Sequence, residues 1–241
     1  MSRHRVTLIP GDGIGPEVID APTRVLEATG VGFDWDVELV GQPALDAVGT
    51  PLLDSVAESV IANRVALKGP VSTPAVKGFR SVNIAMRKAS NLFANVRPCR
   101  TYPGVRSRYQ NVDVVVIRDV TEDLYAGVEV EAGTPEAAEL IASIEKNTGK
   151  PIAPGSGISI KAISEGASRR IAEYAFRYAV DNNRSRVTAV HKAAVMKRTD
   201  GLFLEVAREV AAGYSDVEFE DRAVDNTAMQ LVQRPEDLAE A

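Results

Sequence analysis

The stretch from Arg5 to Glu17 constrains the fold more than any other part of the chain. Arg5-Val-Thr-Leu-Ile-Pro10 is a largely apolar run, Gly11-Asp-Gly-Ile-Gly15 follows it, and Pro16-Glu17 comes next. This reads as a buried strand turning sharply into a helix. Glycine reaches backbone conformations that a tight turn needs, proline suits the first helical position, and an acid in the first turn complements the helix dipole. The helix is predicted to run to about Ala28. Val31 to Val40 then reads as a second strand, and Leu53, Val56, Ala57, Val60 and Ile61 fall on one helical face. Arg64 to Leu67 reads as a short strand entering the loop Gly69 to Pro74. Strands alternating with helices across short turns imply an α/β fold with parallel strands.

The texture changes beyond Pro98. Cys99 to Asn111, rich in Arg, Pro, Gly and Tyr, reads as a connection, and Val112 to Ile117 as a fully buried strand. A hairpin or arm is predicted near 125 to 161, with a helix from about Pro135 to Asn147 inside it. Glu165 to Val180 reads as a helix whose stripe is Ile171, Tyr174, Ala175, Tyr178 and Ala179, with Arg169, Arg170, Glu173 and Arg177 facing away. A strand at Val187 to His191, a helix from Leu202 to Ala212, a strand near Val217 to Phe219 and a helix from about Asp225 to Gln233 follow. Two domains are expected, residues 1 to 98 and 99 to 241.

Composition narrows the function classes. The 241 residues carry 28 Lys and Arg against 33 Asp and Glu, and 45% are hydrophobic, as in a soluble globular protein large enough to fold without disulfides. A single cysteine, Cys99, fits a reducing compartment, and a cytoplasmic location is expected. The longest unbroken apolar stretch, Val114 to Ile117, is too short to cross a bilayer, and Val6 to Ile9 is too short for a signal peptide core. With His4, His191 and one cysteine, a zinc site is excluded, so a metal would need carboxylate and water oxygens, the preference of magnesium or manganese.

Charge is uneven. From Arg80 to Arg118 there are eight basic residues and one acid, Asp113. Such a cluster is a solvated surface, a nucleic-acid track with Phe93, Tyr102 and Tyr109 interleaved, or a set of arginines converging on a small polyanion. The glycines at 11, 13 and 15 stand where a dinucleotide loop would stand, yet the third glycine of that fingerprint falls at Pro16, leaving a simple tight turn as the alternative. On a helix from Ser81 to Ser90, Asn83 and Arg87 share a face and Ser81 lies at the N-terminus. Donors there beside guanidiniums suit a carboxylate.

Four motifs then appear in order: Ile9-Pro-Gly-Asp-Gly-Ile-Gly-Pro-Glu17, Lys68-Gly-Pro-Val-Ser-Thr-Pro74, Arg118-x-x-x-Glu122-Asp-Leu-Tyr125-Ala-Gly127, and Val190-His-Lys192 with Met196-Lys197 and Asp200-Gly201. Together they resemble the isocitrate/isopropylmalate dehydrogenase family of β-decarboxylating dehydrogenases, from about Arg5 to Pro235. Arg80-Ser81-Val82-Asn83 resembles the isocitrate branch.

The resemblance implies a two-domain, isopropylmalate dehydrogenase-like α/β fold and oxidative decarboxylation of isocitrate to 2-oxoglutarate with NAD or NADP and magnesium or manganese. A homoisocitrate or isopropylmalate dehydrogenase is the enzymatic alternative, and a catalytically silent binding subunit the alternative of another class. By position it assigns Arg87, Arg97 and Arg118 to the substrate carboxylates, Ser81 and Asn83 to the third carboxylate, and Thr73 to the cofactor. It assigns Tyr125 and Lys192 to proton transfer and Asp225 to the metal. It also implies a homodimer, with the lysine and the metal aspartate coming from the partner subunit. No nucleic-acid or membrane partner is expected. Two departures stand out. Ala194 replaces the family's usual asparagine. The family's pattern also continues beyond Glu236 into a strand, further metal carboxylates and an adenosine-gripping loop, so the large domain is expected to be incomplete at the C-terminus and the 241 residues to turn over isocitrate poorly.

Overall fold

The computed structural model describes residues 3–72 and 82–238. The chain divides into two units, Met1–Leu92 and Phe93–Ala241.

In the first unit, β1 (Arg3–Ile9) is the middle of a three-stranded parallel sheet, with β2 (Gly32–Val37) on one side and β3 (Ala66–Lys68) on the other. The helix α1 (Gly15–Ala28) has Pro16 and Glu17 in its first turn, as its sequence predicts. A short helix, α2 (Gln42–Val48), follows β2 and has no counterpart among the elements that periodicity predicts. It is followed by α3 (Asp54–Asn63) and α4 (Val82–Ala89). Ile9, Val40, Val56, Val60, Val82 and Met86 form the core. Ile61, placed on the buried face by periodicity, is 56% exposed, and Ser59 is buried in that layer. The reason is polar: Ser59 bonds to the fully buried Thr7 hydroxyl at 2.7 Å and to the Asp36 carboxylate at 2.8 Å.

The carboxyl ends of β1 and β3 press backbone against backbone. A Cβ on Gly11, whose φ is +82°, would lie 1.9 Å from the Pro70 carbonyl oxygen, and one on Gly69 would lie 2.2 Å from that of Pro10. Only glycine permits this crossing. It is held by Asp12 N–H donating to Pro70 at 3.1 Å and Gly69 N–H donating to Ile9 at 2.8 Å.

The second unit begins with β4 (Ala94–Arg100) paired antiparallel to β5 (Asp113–Asp119). That pairing draws Phe93 to Pro98 into this unit, so the division falls after Leu92 and not after the expected residue 98. β5 is half-buried, with Val116 41% exposed, where the sequence suggested full burial. Among the described residues it pairs with β4 alone. A 3-10 turn (Asp123–Ala126) leads to the arm, in which β6 (Glu129–Val130) pairs with β7 (Ile158–Ser159) and α5 (Pro135–Thr148) lies between them. Thr134 caps α5 and Ser164 caps α6 (Glu165–Asp181), each hydroxyl accepting the N–H three residues on. The unit closes with β8 (Arg186–His191), α7 (Asp200–Ala211), β9 (Glu218–Ala223), parallel to β8, and α8 (Val224–Gln233).

Phe176, 1% exposed, anchors the second core, stacking on Tyr214 at 4.9 Å. The buried stripe of α6 is Ser168, Ile171, Ala172, Phe176 and Ala179, rotated from the predicted one. Arg170, predicted to face solvent, covers the Phe93 ring at 4.2 Å. No helix among the described residues is long and apolar enough to cross a membrane.

Candidate functional site

In the first unit, the crossing of β1 and β3 encloses Asp12. One carboxylate oxygen accepts the Ser72 N–H at 2.7 Å and the other the Gln42 N–H at 3.3 Å. Burial pushes this carboxyl up, but bonds from Ser72 and Gln42, with the Lys68 cation nearby, more than offset it and hold the group below its ordinary value. The carboxylate of the turn thus ties it to two other segments of the unit. Beside it, burial lowers the Lys68 pKa and the Arg87 cation lowers it further, while Asp12 opposes both. Lys68 and Arg87 are thus close enough to repel and only half-exposed. Arg87 and Asn83 lie one turn apart on α4, both half-buried. A pair of partly desolvated cations favours an anionic ligand that relieves their repulsion. Ser81 and Thr73 lie outside the described residues.

In the second unit, strand register brings two predicted arginines together. Arg97 is opposite Val116, and Arg118 is opposite Asn95, so Arg97 and Arg118 are diagonal neighbours on one face of the β4–β5 ribbon. Both are exposed, and Arg97 Nε donates to the Asn95 side chain at 3.0 Å. The Arg118 guanidinium sits 5.0 Å from the centre of the Tyr125 ring. Tyr125 stands in the 3-10 turn, which the Asp119 carboxylate shapes by accepting the N–H groups of Thr121 and Glu122 at 2.8 and 3.2 Å. The aromatics of the basic stretch are already covered by cations of the same chain: Arg100 over Tyr102, Arg108 over Tyr109 and Arg170 over Phe93.

Lys192 follows β8, and its Nζ lies 2.7 Å from Asp225 Oδ2 at the start of α8. The Lys192 ammonium, joined by N–H groups at the helix start, holds the Asp225 carboxyl below its ordinary value. His191 is fixed next door: Nδ1 accepts the Ala193 N–H at 3.0 Å, and Nε2 faces Asp221 at 3.0 Å. Asp221 is in turn bound by Arg208 at 2.8 Å. Among the described residues, no three His, Cys, Asp or Glu side chains gather to hold an ion. Asp225 stands in contact with Lys192, apart from any such group among the described residues.

Sequence reasoning missed three participants. Asp200 is buried, accepting the Lys192 N–H at 2.7 Å through Oδ2 and the Lys161 ammonium at 2.5 Å through Oδ1. Asp123 faces Lys161 at 3.6 Å. Asp200 and Asp123 stand inside the family motifs, whereas Lys161, a single cation between Ile160 and Ala162, carries no local signal.

An α/β chain with clustered cations and a paired lysine and aspartate suits a small anionic ligand. Residues 5–239 match the model of the isocitrate/isopropylmalate dehydrogenase family, and the chain belongs to that family. It is 42% identical over 98% of its length to a mitochondrial regulatory subunit of the NAD isocitrate dehydrogenase of Dictyostelium discoideum. It is 41% identical over 96% of its length to a chloroplastic 3-isopropylmalate dehydrogenase of Solanum tuberosum. The chain spans 59% of the length of each. The crystal structure of isocitrate dehydrogenase from Methylococcus capsulatus superposes with a TM-score of 0.85 at 44% identity, covering 97% of this chain and 64% of that one.

Proposed function

We propose that the chain belongs to an isocitrate dehydrogenase that oxidises isocitrate with NAD or NADP and releases carbon dioxide to give 2-oxoglutarate. The observation that carries this is the half-buried Lys68 and Arg87 pair beside Asn83, a set of donors suited to carboxylates. Arg87, Arg97 and Arg118 bind substrate carboxylates, and Asn83, with Ser81, reads the carboxylate that isopropylmalate lacks. Thr73 contacts the cofactor. Lys192, contributed across the dimer, removes or relays the hydroxyl proton as hydride leaves the carbinol carbon, and Asp225 holds its side chain by a salt bridge. Tyr125, its ring covered by the Arg118 guanidinium, supplies a proton to the enolate left after decarboxylation. Asp225 would contribute one carboxylate toward magnesium or manganese, which would polarise the new carbonyl. The arm supports a homodimer, and the single exposed Cys99 fits a cytoplasmic setting.

A second reading, a binding subunit without turnover, is favoured by the resemblance to a regulatory subunit. Calorimetry with isocitrate and with 3-isopropylmalate, combined with assay of reduced nicotinamide formation in the presence of manganese, separates the two. Isocitrate is expected to bind more tightly than isopropylmalate, and Asn83→Leu is expected to reduce that preference about tenfold. Binding with turnover far below about 1 per second supports the silent subunit, and equal affinities for both acids refute the isocitrate assignment.

A further inference from the structure

We propose that Lys161 and Asp200 form a positioning clamp that sets the turn carrying Lys192 and the turn carrying Tyr125 with respect to each other. The relevance of the clamp to catalysis rests on the proton-transfer roles proposed above, in a homodimer where Tyr125 serves its own chain's site and Lys192 that of the partner subunit; its existence does not.

Three separate stretches of the second unit meet at Asp200, the first residue of α7. This carboxylate is 7% exposed and uses both oxygens, one on the Lys192 backbone N–H at 2.7 Å and one on the Lys161 ammonium at 2.5 Å. Lys161 lies just after β7 and reaches Asp123 at 3.6 Å. Its neighbour Ala162 accepts the Asp123 N–H at 3.1 Å. Asp123 opens the 3-10 turn of Tyr125 and has a φ of +61°, a region that aspartate tolerates but that costs energy unless its surroundings hold it.

The ammonium of Lys161 is therefore the link between two carboxylates, one bound to the Lys192 turn and the other within the Tyr125 turn. Take it away, and Asp200 keeps a buried oxygen without its charged partner while two like charges face each other across the gap. Both turns then lose part of what fixes them. A buried carboxylate left unpaired is costly enough to pull the surrounding backbone toward water. The Lys192 side chain is held separately by Asp225, so the clamp acts on the backbone of residue 192 and the salt bridge acts on the side chain.

Residue-resolved amide hydrogen exchange tests this in the 241-residue chain, comparing Lys161→Met with Lys161→Arg. In Lys161→Met, the amides of Lys192 and Asp123 are expected to exchange at least tenfold faster, while amides within α6 and β9 keep their rates. Lys161→Arg, which retains the charge, is expected to restore most of the protection at both amides. Faster exchange at Asp123 with Lys192 unchanged would overturn the clamp. So would an equal acceleration throughout the unit, which would mark Lys161 as a contributor to global stability only. Because the exchange rates are read without substrate, a chain that keeps the clamp but fails to bind isocitrate in calorimetry would refute the proposed function and leave the clamp standing.

Discussion

At the residue scale, the first unit depends on one carboxylate. Asp12 ties the turn after β1 to the start of α2 and to the loop after β3, so a single side chain satisfies the backbones of two other segments. Its carboxyl is held below the ordinary value of 3.8. A depressed carboxyl contributes stability that is fully present above the unfolded-state pKa and is lost as pH falls through the lower folded value. Asp12→Asn is therefore expected to cost about 2 kcal/mol at neutral pH, the order of a charged hydrogen bond. It is also expected to flatten the loss of stability below about pH 4. Urea titrations of both proteins from pH 7 to pH 3 check this, and parallel acid-side slopes would show that Asp12 contributes nothing to them. The glycines around it were legible in the sequence as a turn. That its carboxylate would be held by Gln42 and Ser72 was not, because these donors lie 30 and 60 residues away.

At the scale of elements, the caps and the patterns carried different amounts of information. Pro16, Pro135, Thr134 and Ser164 mark helix starts by chemistry that acts within three residues, and each start lies where the sequence indicates. The buried face of α6 is different. Ala, Tyr, Ile and Phe alternate so densely there that several stripes are possible, and which one is buried depends on α7, β8 and β9. The tertiary packing selects Phe176, which lies against Tyr214 and Phe219. Phe176→Ala is expected to destabilise the second unit by about 3–5 kcal/mol. Tyr174→Ala, on the stripe predicted from sequence, is expected to cost clearly less. Chemical denaturation of the two variants checks the ranking, and equal losses would return the buried face to the predicted stripe.

For the whole molecule, the arm is the feature that cannot be sufficient by itself. β6 and β7 contribute two residues each, and a two-stranded ribbon of that size is marginal in water without a covering partner. Val128 beside it is 50% exposed and Ile160 is 38% exposed. Pairing of this ribbon with that of a second copy would bury both residues and use the open strand edges. Sedimentation is expected to give a dimer, and Val128→Asp a monomer with unchanged secondary structure by circular dichroism. A wild-type chain that remains monomeric at every workable concentration would remove the homodimer from the proposal.

The sequence by itself determined the alternation of strand and helix, the glycine turn after β1, and the membership of a dehydrogenase family whose motifs pass through Asp12, Lys68, Tyr125 and Lys192. These are properties of neighbours along the chain, where turn chemistry and spacing act directly. Only the tertiary structure decided that Arg97 and Arg118 share a face, because strand register is a relation between segments about twenty residues apart. Only it brought Lys161 to Asp200, across 39 positions. A lone lysine in sequence looks like any solvated cation until the fold buries the carboxylate that it must neutralise, and the physical reason is that burial, not identity, gives such a pair its consequence.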